Sequence, residues 1–404
     1  MSWPTRRLEE LASPEQCSFV GGPFGSKLTS RDYVDSGVPV IRGANLNGGR
    51  FLDMNGFVYV TEEKVRKDLA GNLARPADLV FTQRGTLGQV AVIPQDGISD
   101  RYVVSQSQMK LTVDEKKADR LFLYYYFSSR MAFERIINLV SSSGVPHINL
   151  TVLRNFEVPV PPLDAQQRIV GTLSAYDDLI ENNRRRIQLL EESARLFYKE
   201  WFVYLRFPGH EHVEVIDGVP EGWDRPRLDE VADITMGQSP KSVYYNEDGD
   251  GLPFHQGVTG FGVRFPTHRT YCTVKKRMAE PGDILFSVRA PVGRINVTTD
   301  RIVIGRGLAA IRSRNSRQNL LFYTLKTHFF KDDMMGSGAI FAAITKKDLH
   351  SVRLLLPNEQ LAELFVEIVG PIDEQLQNLY ETNKRLRAAR DLLLPRVVNG
   401  EVTV

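Results

Sequence analysis

The strongest constraint on this chain is that it repeats itself. Residues 3–12 read WPTRRLEELA and residues 223–232 read WDRPRLDEVA. GVPVIRG at 37–43 returns as GLPFHQG at 251–257, and RPADLVFTQRGTLG at 75–88 as AEPGDILFSVRAPVG at 279–293. Asp100-Arg101 recurs as Asp300-Arg301, and SSG at 142–144 as GSG at 336–338. The offset shrinks steadily from 220 to 194, so five anchors keep their order with small changes in loop length. A period near 200 residues means a duplicated domain, because stacked solenoid repeats recur every 20–50 residues or so. The length of 404 residues fits two or three domains, each with its own core.

Both copies end alike. FEVPVPPLDAQQRIV at 156–170 and VRLLLPNEQLAELFV at 352–366 each read as a strand, a proline stop and a helix start. Asp164 with Gln167 has capping-box spacing, and Asn358 suits the cap of the second helix. Beyond each start runs a seam with alternating spacings of three and four. The first is Leu173, Tyr176, Ile180, Asn183, Ile187, Leu190, Ala194, Phe197 and Trp201; the second is Val369, Ile372, Leu376, Leu379, Asn383, Leu386, Arg390, Leu393 and Val397. Such heptads predict two helices supercoiling on each other, the first about 55 Å long over 164–201. Asn183 and Asn383 lie on the seams, either fixing the register of the pair or tolerated in an irregular stretch. The expected layout is domains at 1–155 and 222–350, a helical spacer with linker at 156–221, and a second helical segment at 351–404. The fold class is α+β.

Charge is distributed by segment. Residues 1–150 carry 18 basic and 16 acidic side chains and residues 222–350 carry 19 and 13, whereas 164–221 carry 7 and 11 and 351–404 carry 6 and 8. Basic globular units with acidic helices suit units that face phosphate and helices that face protein. Two cysteines, Cys17 and Cys272, make no disulfide framework. MSWPTRRLEE has no apolar stretch after its basic residues and no run of 18 apolar residues occurs, so a cytoplasmic location without membrane contact is expected.

Catalytic motifs are missing. GGPFGSK at 21–27 lacks the Gly-Lys-Ser/Thr ending of a phosphate loop. No Asn-Pro-Pro-Tyr/Phe tetrapeptide or dinucleotide fingerprint occurs. His210 and His212 lie two apart in a loop with no cysteine and no further histidine at zinc spacing. Asp78, Glu115 and Lys117 imitate a nuclease set, but the second copy keeps only Asp283, so Asp78 reads better as a turn cap before the strand LVF. Neither catalytic nor metal-binding residues are expected.

Two variable units alternating with helices that open on PPLDAQQRI and LPNEQLAEL, together with GGPFGSKL near the start and the terminal LLLPRVVNGEV, resemble the specificity subunit of type I restriction–modification systems. The resemblance runs from Trp3 to Asn399-Gly400-Glu401; one departure is Ala165, which stands in place of the usual Glu before Gln. It implies two target recognition domains in a pseudo-two-fold arrangement, separated by two long helices packed as an antiparallel coiled coil. The implied partners are double-stranded DNA, two methyltransferase subunits and, through them, restriction/translocase subunits. S-adenosylmethionine, ATP and Mg would sit on those partners, and no cofactor on this chain. Because the two units differ, the DNA site would be bipartite and asymmetric. Rival readings are the specificity subunit of a methylation-only or other defence system, a coiled-coil scaffold, and a nuclease.

Within that resemblance, candidate DNA contacts are polar side chains on glycine-bearing loops. Lys27 and Lys241 hold matching positions suited to phosphate. Arg84 and Arg289 also match, as phosphate contacts or as ion-pair partners of Asp78 and Asp283, with the ion pair favoured. Arg42 against Gln256 differs between copies, as base readers should: Arg suits guanine and Gln suits adenine. Asn45, Asn47, Gln83, Thr86, Gln238 and Thr259 are similar candidates. Tyr244 and Tyr245 either stack on a base or pack in a core.

Overall fold

The computed structural model describes residues 3–46, 49–139, 147–329 and 343–402. The chain packs as two compact units: unit 1 comprises Met1–Glu181 and Lys384–Val404, and unit 2 comprises Asn182–Asn383. These divisions run through the long helices rather than at their ends. An amphipathic helix cannot bury its stripe alone, so each half joins the core of the globular part beside it. In unit 1, Ile169, Leu173, Leu394, Val397 and Val398 share one core with Phe122, Tyr125, Tyr126 and Phe127.

Unit 1 holds two four-stranded sheets. One runs in the order Phe19–Gly21, Gln108–Leu111, Leu79–Thr82, Val90–Val92, all antiparallel. The other runs Val58–Val60, Val38–Ile41, Tyr102–Val104, Leu73–Ala74, and its central pair is parallel, with Val40 opposite Val103. The strands are continuous apolar runs because both faces of the sheet are covered. Along LVFT, Leu79 and Phe81 enter the helix-side core while Val80 enters a second core with Ile41 and Tyr102.

Unit 2 repeats this plan. Its first sheet runs Ala232–Met236, Leu308–Ser313, Ile284–Ser287, Ile295–Val297. Its second has five strands, with Leu252–His255 parallel to Ile302–Ile304. Ile284 and Phe286 again face the helix-side core and Leu285 the other. The fold is α+β, duplicated.

The long helices span Leu163–Phe202 and Glu359–Val398, 40 residues each, or about 60 Å. Asn358 caps the second as expected, its Oδ1 accepting from Leu361 N at 2.9 Å. The first does not use the Asp164/Gln167 box. Its hydrogen bonding begins at the Pro162 carbonyl, which places Asp164 inside the first turn, paired with Arg168 at 3.0 Å. Gln166, fully buried, fastens this helix start instead: its Nε2 donates to Pro161 O at 2.7 Å and its Oε1 accepts from Asp119 N at 2.8 Å.

Within unit 2 the helices run antiparallel, since Asn183 meets Asn383 while Trp201 lies against Phe365. Asn183 Nδ2 donates to Asn383 Oδ1 at 2.9 Å in a buried setting. Changing Asn183 alone to Leu strips Asn383 of this partner and is expected to cost about 1–3 kcal/mol. Changing both to Leu should recover most of that loss, which hydrogen exchange across the flanking turns would measure as a double-mutant cycle. Two single variants whose losses simply add would overturn this expectation.

Candidate nucleic-acid interface

In unit 1, strand ends deliver four short segments to one place, and the turn after Tyr102–Val104 ties them together. Gly22 N donates to Gln108 O at 2.9 Å, Ser105 N to Ile41 O at 3.1 Å, and Gln83 N to Ser107 O at 2.7 Å. The Gln106 amide donates to the carbonyls of Gly25 and Leu28. The first loop approaches so closely that a Cβ on Gly22 would lie 1.9 Å from Ser105 O, so only glycine fits. Segments 22–28, 42–46, 83–88 and 105–108 carry Lys27, Arg42 and Arg84 and no carboxylate. Lys27, Arg84, Thr86 and Gln106 are exposed; Arg42 and Gln83 are half-buried.

Unit 2 rebuilds the cluster with other side chains. Gly237 N donates to Leu308 O at 2.9 Å, Gln238 N to Ile304 O at 3.0 Å, Gly305 N to His255 O at 2.8 Å, and Gly307 N to Gln256 O at 3.1 Å. Ile344 N donates to Val288 O at 2.8 Å, as Ile148 N does to Gln83 O at 3.1 Å in unit 1. Segments 237–244, 256–260, 288–294 and 305–307 carry Lys241, Arg289, Arg294 and Arg306, again with no carboxylate. Gln238, Lys241, Tyr244, Gln256, Thr259, Arg289 and Arg306 are exposed. The tyrosine pair divides: Tyr245 stacks on Phe254 at 4.4 Å and donates to Pro240 O, while Tyr244 stays 41% exposed.

The readings of Asn45 and of the two Arg–Asp ion pairs meet a different geometry. Asn45 is fully buried, its Oδ1 accepting from Arg42 N at 3.0 Å and its Nδ2 donating to Asp53 O and Asn55 O, so it clamps its loop instead of facing outward. Arg42 donates through Nη2 to Gly56 O at 2.8 Å. The Arg84–Asp78 and Arg289–Asp283 ion pairs do not form. Asp78 pairs with Lys110 at 3.2 Å and Asp283 with Arg312 at 2.6 Å. Each aspartate precedes a strand whose far end leads to the arginine, a separation of roughly 20 Å over six residues. Both aspartates close turns, accepting from Arg75 N and Glu280 N, and burial pushes the Asp283 carboxyl up against the pull of Arg312.

The nuclease set does not assemble either, since Glu115 pairs with Arg120 and Lys117 with Asp114. His210 leans on Phe207 O at 2.8 Å, and no group of three His, Cys, Asp or Glu among the described residues could hold a metal ion. Asn47 and the SSG and GSG anchors lie outside the described residues. Gln106 and Arg306 were not anticipated. They occupy the same turn in VVSQSQMKL and VIGRGLAAI, where the common apolar frame was a signal that their unlike side chains hid.

The chain is thus a duplicated α+β protein with two basic, carboxylate-free loop clusters, whose charge suits a polyanion. The model of the type I restriction modification DNA specificity domain matches residues 17–192 and again 220–387, and the chain belongs to that family, whose subunits are non-catalytic DNA-recognition components. It is 29% identical, over 100% of its length and 94% of the relative's, to a Methanocaldococcus jannaschii chain provisionally named type I restriction enzyme MjaX specificity subunit. It is 24% identical to the type I restriction enzyme HindI specificity subunit of Haemophilus influenzae, over 88% of this chain and 94% of that one. The crystal structure of a type I restriction-modification system S subunit from M. genitalium shares the fold, with a TM-score of 0.56 at 18% identity, covering 98% of this chain and 96% of that one. No helix among the described residues is long and apolar enough to cross a membrane.

Proposed function

We propose that this chain reads a bipartite, asymmetric DNA site in the cytoplasm, one half with each loop cluster, for a type I restriction–modification complex. It docks two methyltransferase subunits and, through them, restriction/translocase subunits, which bring S-adenosylmethionine, ATP and Mg. The carrying observation is that one loop scaffold is built twice with different exposed side chains and no carboxylate in either copy. Lys27, Lys241, Arg84 and Arg289 recur in both halves and serve phosphate, which fixes register. Arg42, Gln83, Thr86 and Gln106 in one half, and Gln238, Tyr244, Gln256, Thr259 and Arg306 in the other, differ and serve base edges. Leu179, Leu189, Leu196 and Leu392 stand about half or more exposed on the long helices and supply apolar surface for docking.

The test is to co-express the chain with its methyltransferase and map methylated bases by single-molecule sequencing. A split asymmetric motif with methyladenine in both halves is expected, and substituting Arg42 or Gln256 should alter one half only. No new methylation from an assembled complex would overturn the reading. Replacing Arg84 or Arg289 by Ala should weaken binding to all sequences alike. It should also reduce the slope of log affinity against log salt by about 1 each, measured by a binding titration from low to moderate salt.

A further inference from the structure

Glutamine is an ambiguous reader. Its amide presents a donor on one side and an acceptor on the other, so a half-turn about its last bond exchanges what it recognises. Arginine, at the matching position Arg42, carries donors only and has no such ambiguity. Around Gln256 the ambiguity is removed by a relay. Arg306 N donates to Ser239 Oγ at 3.1 Å, and Ser239 Oγ donates to Gln256 Oε1 at 2.8 Å. The serine oxygen accepts from the backbone N–H and the serine hydroxyl donates to Oε1, so the two bonds run in one direction through Ser239 towards the amide oxygen. The oxygen side of the amide is also closed off sterically. A Cβ on Gly305 would lie 2.7 Å from Oε1. Oε1 thus rests against glycine backbone, and Nε2 is the open end of an exposed side chain.

We propose that Ser239 is a positioning residue for base discrimination in unit 2: it locks the Gln256 amide so that Nε2 alone is offered to the DNA. This rests on the recognition reading above. A lone donor binds major-groove acceptors, namely purine N7, guanine O6 or thymine O4, and it rejects cytosine, whose edge there carries only the N4 donor. The bidentate adenine clasp expected of a glutamine requires Oε1 outward and is excluded by the same lock.

The experiment compares methylation maps of assembled complexes carrying Ser239→Ala, Ser239→Thr and Gln256→Glu with the unmodified complex. Ser239→Ala frees the amide to turn and accept from cytosine N4. Methylation at sites with cytosine at one position of the unit 2 half should rise about tenfold, with the unit 1 half unchanged. Ser239→Thr keeps the hydroxyl and should keep the motif. Gln256→Glu offers only acceptors and should move that position towards cytosine, which keeps the reading of residue 256 falsifiable if Ser239→Ala does not assemble. A Ser239→Ala motif identical to the unmodified one, or a Gln256→Glu variant with no gain at cytosine, overturns the inference. A missing split motif in the unmodified complex overturns the recognition reading itself.

Discussion

Replacing Arg264 by Ala is expected to lower the stability of unit 2 by about 3–5 kcal/mol, because the change strands buried carboxylates. The Arg264 side chain is only 5% exposed. Its guanidinium meets Glu191 at 3.2 Å and Asp373 at 2.7 Å, one from each long helix, and donates to the Tyr323 hydroxyl at 2.7 Å. The Phe322 ring lies beneath it at 4.0 Å, and the Tyr323 hydroxyl donates to Asp373 Oδ1 at 3.0 Å. Burial pushes the Asp373 carboxyl up, and Arg264 and the Tyr323 hydroxyl pull against it. Lys326 also pairs with Glu191, at 2.6 Å, but its side chain is 26% exposed. Lys326→Ala should therefore cost much less. Hydrogen exchange of the folded chain reads both, since protection should fall across unit 2 and hold in unit 1. A loss below about 1 kcal/mol for Arg264→Ala would mean that the node adds no net stability.

Acidification should weaken the same unit through His255. This ring is 4% exposed, with Nε2 at 2.8 Å from His268 Nδ1 and Nδ1 at 3.3 Å from Thr259 O; His268 in turn faces Asp300 at 3.1 Å. Burial, helped by the charge of His268, holds His255 down to about 4, against an ordinary value of 6.5. Between those values the unfolded chain binds the proton and the folded chain does not. The stability that neutral His255 contributes is therefore complete above pH 6.5 and is lost as pH falls towards 4, about 3 kcal/mol in all. Unfolding midpoints of unit 2 measured from pH 7.5 down to 4.5 should drop, and His255→Leu should flatten that part of the profile. An unchanged slope in His255→Leu would assign the acid sensitivity to other groups.

Much of this was legible because duplication and periodicity are properties of the chain itself. The matched anchors foretold two copies of one unit, and the heptads found both the long helices and the asparagines that pair on them. Asn358 declared its cap. What stayed hidden depends on distances that one-dimensional spacing does not carry. Asp78 and Arg84 look like neighbours six residues apart, yet an intervening strand holds them at its opposite ends, and Lys110 on the adjacent strand takes the carboxylate. Arg264, Glu191 and Asp373 come from three remote stretches, so no motif joins them. Gln166 looked like one more polar residue in a helix start and is its buried fastening. In the loops, Ser239 and Arg306 acquire meaning only through the backbone that brings them to Gln256.

The division of the long helices has a consequence for the order in which the molecule is completed. Unit 2 is one uninterrupted stretch, Asn182–Asn383, whereas the core of unit 1 includes Leu394, Val397 and Val398 from far downstream. Domains tend to fold as their sequence leaves the ribosome. Here the half translated first must wait with an open seam until residues 384–398 have been made, and the half translated second can close before it. A frameshift or a protease cut near residue 384 would therefore injure the amino-terminal recognition domain, not the nearer one.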